Sequence, residues 1–552
     1  MDHFLGVFRA SRSSQKQAAF ILNELLRAQL LPVEQTREAD KSPSSVEPCS
    51  VGRSLSYAVL EEYLSDDWMS LQTVNEQGMG QLQQHPGSQQ PQLLSSEALV
   101  VRKGDTLLTL PDLHHNIILT SLLLEGVGVI VQIVGKESVT FLEKSLYWLL
   151  MSLGSPTAAV SHSALHSLGC TATACGYTSL TDLIGDNSDY LVNTIALNLR
   201  HLALNPHAPL VVQVMLRYAD HNTYPVFLDL TEDVFDVMDG STGSQIGVFI
   251  GVLNALLSAM LRWMPALLLP PLAPSGTSAT GAATDTTELG EGDAACPKGH
   301  DEETAPFSPP PDGREENAVP QPVQLVMDVL SRCRHFLGSS VVRHRLLVVE
   351  TVKLGARLLN EHERQLLPTI HGLWEPLMPV VSDPNAAVAI AALELVQLLC
   401  EVCGDFLRQR VVKDVVGRLA KRLRMTLSEV RAEGGLRARS WAHKLTIATL
   451  HALGSLASPL QLGGAELEGV ITSVIPFLHQ EVPAELQDLA TDVLKTLCKL
   501  DVDLVWFCLA QAAATPLPSS DTGQLVGVAW PRPLVGCGTG VRALLSHIEA
   551  LG

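Results

Sequence analysis

An internal repeat constrains the fold of this chain more than any other feature. A segment that begins at residue 153 and another that begins at residue 381 carry the same order of apolar, small and turn-forming residues. Such self-similarity is the signature of repeat architectures. An apolar helix, a Pro-containing turn and a second helix rich in small residues predict a helical hairpin that stacks on its neighbours. Aligned without a gap, the segments match Pro156 with Pro384, Val160 with Val388, Ala164 with Ala392, Leu165 with Leu393, and Cys175-Gly176 with Cys403-Gly404.

The composition suits stacked helices and disfavours two classes of protein. Of the 552 residues, 46% are hydrophobic but only 5% are aromatic, as expected for a helical interior built from Leu, Val and Ala. The formal net charge of −20 argues against a nucleic-acid-binding protein and for a soluble surface. Ten cysteines without regular spacing indicate intracellular thiols and not a disulfide framework.

One apolar segment, residues 246–269, has an alternative interpretation as a membrane span. It contains Gly247-x-x-x-Gly251, a spacing found where membrane helices pair. Its strongest apolar residues fall on one broad face, however, and Arg262 would cost about 2.5 kcal/mol or more inside a bilayer. We therefore predict a buried core helix, and an integral membrane protein remains the alternative.

Shifts in composition divide the chain into six predicted segments. One is Gln-, Ser- and Pro-rich, and another contains ten carboxylates against Lys298 and Arg314 within residues 285–316. Neither can bury enough apolar surface to fold. The prediction is a short helix in 1–31, a mostly disordered segment in 32–97, a helical-repeat block in 98–265, a disordered acidic linker in 266–321, a second helical-repeat block in 322–512, and a tail with a short final helix in 513–552.

No motif predicts a catalytic, cofactor or metal site. Cys400 and Cys403 are spaced i and i+3 on the apolar face of an aliphatic helix, so we interpret them as buried small hydrophobic residues and not as zinc ligands. Cys296 and His300 lie in the acidic insert and carry little weight as a metal site. We therefore expect no enzyme and no cofactor. A row of carboxylates is interpreted as a solvated helix face: Asp229, Glu232, Asp233, Asp236 and Asp239.

A basic run in residues 408–444 locally reverses the acidic balance of the chain. The first interpretation is a solvated helix face followed by a polar loop at 426–437. The second is a docking site for an acidic partner segment. A nucleic-acid site is weaker than both, because the run lacks interleaved aromatic residues. The candidates for protein interaction in this run are Arg408, Arg410, Lys413, Arg418, Lys421 and Arg422.

Five segments together form a specific pattern, namely residues 176–193, 197–202, 403–415, 442–445 and 503–507. They resemble the Tel-two-interacting protein one (Tti-one) family, whose members are HEAT-repeat subunits of the TTT co-chaperone complex. The resemblance covers roughly residues 98–265 and 323–512. Because family members are about twice as long, we expect this chain to correspond to their C-terminal half, as a short isoform or an incomplete gene product.

The resemblance implies an all-α HEAT-repeat α-solenoid in two helical blocks separated by disordered inserts. It also implies a non-catalytic scaffold that acts with Tel-two and Tti-two subunits in the folding, stability and assembly of phosphatidylinositol-3-kinase-related kinases (the mTOR, ATM, ATR and DNA-PK type). TOR signalling and the DNA-damage response would depend on it. The ninety-kilodalton heat-shock chaperone and the R2TP adaptor would be indirect partners, whereas nucleic acid and membranes would not be partners. The implied location is the cytoplasm, with the nucleus as a second site. A karyopherin-like HEAT transport adaptor is the alternative.

The matching segments also contain our first candidate interaction cluster. Its side chains either contact a partner or cap and tie one hairpin internally, and the sequence leaves both interpretations open. One position departs from the HEAT pattern, because Ala389 stands where HEAT repeats usually have Arg. We expect a stacking contact between repeats to be missing there. The residues of the cluster are Asp189, Tyr190, Asn193, Asn198 and Arg200.

Overall fold

The computed structural model shows a chain of stacked α-helices. The residues that it describes are 12–30, 50–71, 73, 101–103, 106–241, 245–267, 319–433, 440–479, 482–513 and 538–549. Most of the segment predicted at 32–97, nearly all of the acidic linker with Cys296 and His300, and more than half of the tail lie outside these ranges.

Helices α1 to α11 precede the acidic linker, and α12 to α22 follow it. The first set is α1 Arg12–Leu30, α2 Ser50–Tyr63, α3 Asp66–Met69, α4 Leu110–Val134, α5 Leu142–Leu153, α6 Ala158–Cys175, α7 Leu180–Asp186, α8 Ser188–Arg200, α9 Ala208–Tyr218, α10 Tyr224–Gly240 and α11 Ile246–Leu267. The second set is α12 Gln321–Phe336, α13 Val342–Leu358, α14 Glu363–Val381, α15 Ala386–Cys403, α16 Asp405–Val411, α17 Gly417–Glu433, α18 Trp441–Ala457, α19 Gly464–Val474, α20 Ala484–Cys498, α21 Val502–Ala513 and α22 Gly538–Glu549.

The remaining regular elements are short. A two-stranded antiparallel hairpin precedes α4, with β1 Val101–Lys103 paired to β2 Thr106–Leu108. A π-helical turn, Val412–Val416, joins α16 to α17 without a break. Among the described residues the architecture is therefore an all-α HEAT-like solenoid with one small β-hairpin.

The internal repeat is confirmed in three dimensions. Helices α6 and α15 are each 18 residues long and begin just after the Pro-containing turns at Pro156 and Pro384. Each ends at a glycine in the left-handed region, Gly176 with φ 90° and Gly404 with φ 47°. Glycine favours this conformation because it has no Cβ to clash. The matched sequence therefore fixes both the length and the end of the second helix in each hairpin.

From α8 onward the helices form two layers. The first layer contains α8, α10, α12, α14, α16–α17, α19 and α21, and the second contains α9, α11, α13, α15, α18 and α20. Neighbours in the second layer pack along their length, and the two helices of each hairpin also contact each other. At the start of the described chain, α1, α2 and α6 all pack on α4. Helices α11 and α13 pack directly on each other, so the two blocks on either side of the acidic linker form one continuous stack.

Each pair of neighbours in the second layer is joined by a polar link between helices. The Gln213 side chain donates to the Val248 carbonyl between α9 and α11, at 3.0 Å. The other links connect α11 to α13, α13 to α15, α15 to α18 and α18 to α20: Asn254 to Thr351 (3.2 Å), Lys353 to Glu394 (2.6 Å), Gln397 to Ser455 (2.7 Å) and His443 to Glu485 (3.0 Å). These bonds fix the position of each helix along its neighbour, whereas the aliphatic contacts between the helices are non-directional.

A buried ion pair joins the hairpin α12–α13 to the hairpin α14–α15. Arg345 Nε lies 2.8 Å from Asp383 Oδ2, and the two side chains are only 12% and 7% exposed. Arg345 is the fourth residue of α13, and the fourth residue of α15 is Ala389. Ala389 is fully buried, and its side chain cannot form an ion pair of the kind that the preceding hairpin has.

The segment predicted as a core helix at 246–269 forms α11, within the described residues. A Cβ on Gly247 would clash with His344 Nε2, and one on Gly251 would approach Gln213 to 2.9 Å. The two glycines thus allow side chains of the neighbouring helices α13 and α9 to pack close to α11. By length and composition, residues 246–265, 110–153 and 386–403 could each cross a membrane, but half or more of each most apolar stretch is buried inside this fold.

One matched pair in the repeat has two different environments. Leu165 is 41% exposed, whereas Leu393 is 1% exposed. Helix α15 packs between α13 and α18, but α6 packs on α4, and the hairpin that follows it contacts α5 instead. The position of α9 therefore leaves one side of α6 open.

We expect Leu393→Asp to lower the free energy of unfolding by several kcal/mol, because it places a carboxylate in a buried helix contact. The matched control is Leu165→Asp, for which the expected loss is about 0.5 kcal/mol because the side chain is partly solvated. Urea unfolding followed by circular dichroism measures both. An unchanged midpoint for Leu393→Asp would contradict the packing described here.

Arg345→Ala is expected to lower the free energy of unfolding by about 3 kcal/mol, since Asp383 would remain buried without its counter-ion. Arg357→Ala serves as the control, because Arg357 is an exposed arginine in the last turn of the same helix. The comparison is again made by urea unfolding, and equal losses for the two variants would show that the ion pair does not link the hairpins.

Candidate interaction surfaces

The structure divides the candidate cluster on α8 into two sets, and two of its side chains point toward α5. The Tyr190 hydroxyl donates to the Leu142 carbonyl at 3.3 Å. Burial raises the pKa of Tyr190, and the nearby Glu143 adds to the rise. Asn198 hydrogen-bonds Tyr147, whose pKa is raised by burial and lowered in part by that bond. Tyr190 and Asn198 therefore tie α8 to α5, which is the internal role that the sequence left open.

The other three members of the cluster lie on the exposed face of α8. Asp189 and Asn193 are exposed, and Arg200 at the end of the helix lies 3.6 Å from Asp233 of α10. Between them the face contains Leu197, an apolar side chain that is 59% exposed. Sequence reasoning missed Leu197, although its spacing from Asn193 and Arg200 already places it on the same face. We call Asp189, Asn193, Leu197 and Arg200 the α8 face.

Three of the six basic candidates bind backbone carbonyls at the ends of neighbouring helices. Arg418 donates to the Met378 carbonyl at 3.3 Å and Arg422 to the Val381 carbonyl at 3.5 Å, both at the C-terminal end of α14. Arg408 donates to the carbonyls of residues 460 and 461, which follow α18. The last carbonyls of a helix lack intrahelical donors and carry partial negative charge, so a guanidinium there is stabilising. Burial lowers the pKa of Arg422.

The other basic candidates remain at the surface of the first layer. Lys413 and Lys421 are exposed, and Arg410 is half-buried with its Nη1 2.6 Å from His371 Nδ1. Arg424, which belongs to the same basic run, is exposed on the same helical face. We call Arg410, Lys413, Lys421 and Arg424 the basic ridge.

The Cys400 and Cys403 thiols are buried in the second layer. Burial raises the pKa of Cys400 to about 12 and that of Cys403 to about 11. Burial therefore disfavours the thiolate form of both residues. Across the part of the chain that the structure describes, no three side chains of His, Cys, Asp or Glu come together as a metal site would require.

A groove between α15 and α18 is a further surface that sequence reasoning missed. It is open to solvent and has a volume of about 460 Å³. Trp441 at its edge is 59% exposed, and Lys444 Nζ lies 4.7 Å from the centre of the Trp441 ring. The sequence signal that could have indicated this groove was a Trp in the first turn of a helix. The groove is lined by Ile390, Glu394, Gln397, Trp441, Lys444, Ile447, Ala448 and His451.

The carboxylates of α10 lie on its outer face, as the sequence predicted. Asp229, Glu232, Asp236 and Asp239 are exposed, while Asp233 is partly covered beside Arg200. Asp239 Oδ2 lies 3.2 Å from Arg332 of α12, whose guanidinium also covers the ring of Phe235. The first layer thus has an acidic face at α10 and a basic one at α16–α17.

Family models match the chain in three successive stretches. Residues 1–126 match the second TPR domain of the TELO2-interacting protein 1 homologue, residues 146–235 match TELO2-interacting protein 1, and residues 275–506 match the TTI1 C-terminal TPR domain. Solved structures are similar at a lower level. An engineered protein has a TM-score of 0.38 at 11% identity, covering 99% of this chain and 98% of its own, and importin beta has a TM-score of 0.34 at 10% identity, covering 99% and 69%.

Two curated relatives match nearly the whole chain. The TELO2-interacting protein 1 homolog of Mus musculus is 32% identical and that of Homo sapiens is 33% identical, each over 96% of this chain. The match covers 52% of each relative, so the chain spans about half of their length. On these matches, the chain belongs to the TELO2-interacting protein 1 family.

Proposed function

We propose that this chain is a non-catalytic scaffold that binds the TELO2 protein after which its relatives are named. The observation that carries the proposal is the match to those relatives over 96% of the chain. The fold supports it, because each hairpin of a solenoid contacts only its neighbours and leaves long faces exposed for partners. The buried thiols and solvated carboxylates described above give no support to a reaction centre.

The finer role follows from the family and is part of the same proposal. The chain would act within the TTT co-chaperone complex with Tel-two and Tti-two subunits, and would support the folding and assembly of phosphatidylinositol-3-kinase-related kinases. The ninety-kilodalton heat-shock chaperone and R2TP would contribute through that complex, in the cytoplasm and also in the nucleus. Since the chain spans about half of its relatives, this role concerns the part of the scaffold that these residues form.

The α8 face is the surface that we assign to the TELO2-type subunit. Leu197 is a solvent-exposed leucine among polar and charged side chains, which is the arrangement of an apolar contact with a polar rim. Tyr190 and Asn198 hold α8 against α5, so the face is presented by a fixed helix. A rigid face loses little conformational entropy when a partner binds.

Arg200→Glu is expected to weaken co-purification of the TELO2-type subunit about tenfold without changing helicity. The variant reverses a charge on the α8 face and also repels Asp233, so a second variant is needed. Leu197→Asp leaves the Arg200–Asp233 pair intact and should weaken binding by a similar factor, because it puts a charge into the apolar contact. Pull-down at matched protein concentrations, with circular dichroism of each variant, gives the comparison.

The control is Arg217→Glu, which reverses the charge of an exposed arginine in the last turn of α9, in the second layer. Binding that persists in both α8 variants would exclude this face as the contact. If the native chain bound a Ran-type GTPase and no TELO2-type subunit, the proposed function itself would be wrong and a transport adaptor would be favoured.

A further inference from the structure

The basic ridge follows one side of a continuous helical rod. Helices α16 and α17 are joined through the π-helical turn, and Arg410, Lys413, Lys421 and Arg424 recur along the rod at intervals of three to eight residues. The rod rises about 21 Å between the first and the last of them, at 1.5 Å per residue. Phe406, which is 40% exposed, precedes the ridge by one turn, and its ring centre lies 5.5 Å from the Arg410 guanidinium.

Among the described residues, no ion pair compensates the charge of the ridge cations. Residues 406–424 contain seven Lys and Arg and a single carboxylate, Asp414. That carboxylate is turned toward α14, where its Oδ2 accepts a hydrogen bond from Trp374 Nε1 at 3.1 Å. No ion pair in the described chain joins Lys413 or Lys421 to a carboxylate. Glu375, Glu466 and Glu468 on the adjoining helices are exposed, and none of them forms an ion pair with either lysine.

The basic run contains two kinds of residue: some bind backbone carbonyls within the fold, and the others remain at the surface. Arg408, Arg418 and Arg422 reach helix ends and are accounted for by the fold. The four ridge residues are not needed there, yet they gather like charge on one face of a chain whose net charge is −20. Like charges repel at this spacing, and an anionic ligand would relieve that repulsion.

We propose that the basic ridge is the docking site for an acidic segment of a partner protein. In extended form, about six or seven residues span the ridge, at about 3.3 Å per residue. The segment would carry carboxylates at the spacing of Lys413 and Lys421 and an apolar side chain against Phe406. Charge complementarity of this kind sets the association rate and the choice of partner.

A nucleic acid fits the ridge less well than an acidic peptide. The only exposed aromatic side chain beside the ridge is Phe406, among the described residues of α16 and α17, so successive bases would have no stacking platform. The same layer also presents the carboxylates of α10, which would repel a long polyanion and leave a short acidic segment unaffected.

The experiment uses the full chain and a fluorescein-labelled peptide of about seven residues, made of Glu and Asp with one Leu, and measures binding by fluorescence anisotropy. Lys413→Glu/Lys421→Glu is expected to weaken binding at least tenfold. The matched control is Lys136→Glu/Lys144→Glu, which reverses two exposed lysines with the same spacing elsewhere on the surface. Circular dichroism and urea unfolding verify that both variants remain folded.

Four results of the binding measurements would overturn the proposal. Equal weakening by both variants would indicate a diffuse charge effect, and no weakening by the ridge variant would place the peptide elsewhere. Tighter binding of a single-stranded oligonucleotide than of the peptide would favour nucleic acid. If replacing the acidic residues of 285–316 by Asn and Gln made peptide binding tenfold tighter, the chain's own acidic linker would be the segment that occupies the ridge.

Self-association is distinguished in the same samples. If sedimentation shows a dimer of the native chain that the ridge variant abolishes, the acidic face of a second copy is the occupant and the proposal fails. A monomeric native chain, with peptide binding that the ridge variant alone weakens, would support it. None of these measurements involves a TELO2-type protein, so their result is independent of the function proposed above.

Discussion

Side-by-side packing of the second-layer helices is the contact on which the rest of the structure depends. Aliphatic side chains supply most of the buried surface in this contact, but apolar burial by itself does not fix how far one helix slides along the next. The polar links do so, since each ties one residue to one partner on the neighbouring helix. They run from Gln213 of α9 to Glu485 of α20 and cross the position of the acidic linker between Asn254 and Thr351. The stack is therefore continuous although its sequence is interrupted.

This arrangement uses polar side chains differently in the two layers. In the second layer, residues such as Lys353 and Gln397 bond between neighbours and are largely satisfied within the fold. In the first layer, arginines bind the C-terminal carbonyls of α14, and charged residues are left over on the outer faces of α10 and α16–α17. These remaining charges differ in sign from one hairpin to another, so the outer surface of the layer is acidic in one region and basic in another.

The sequence predicted the features that depend on local chemistry. Pro156, Pro384, Gly176 and Gly404 fix where helices begin and end, so the hairpin and its repeat were evident from residue types and spacing.

The sequence could not predict the exposure of Leu165, because that depends on where α9 packs and not on the residues around Leu165. Nor could it separate the basic candidates. Arg418 and Lys421 are neighbours in the same charge run, yet one reaches a carbonyl of α14 and the other faces solvent. The same holds for Tyr190 and Asp189, where the packing of α8 on α5 decides which side chain is internal.

The groove between α15 and α18 lies beside Ala389, where the repeat lacks the arginine that would join its hairpin to the next. Arg345, the fourth residue of α13, reaches forward to Asp383 and closes the junction between its hairpin and the next. Ala389, at the same position of α15, has no side chain that could reach α18 in this way. The neighbouring Ile390 lines the groove, and Trp441 stands at the facing end of α18. Farther along the two helices, Gln397 and Ser455 restore the link. A single departure from the repeat pattern thus lies next to the groove between these two adjacent helices.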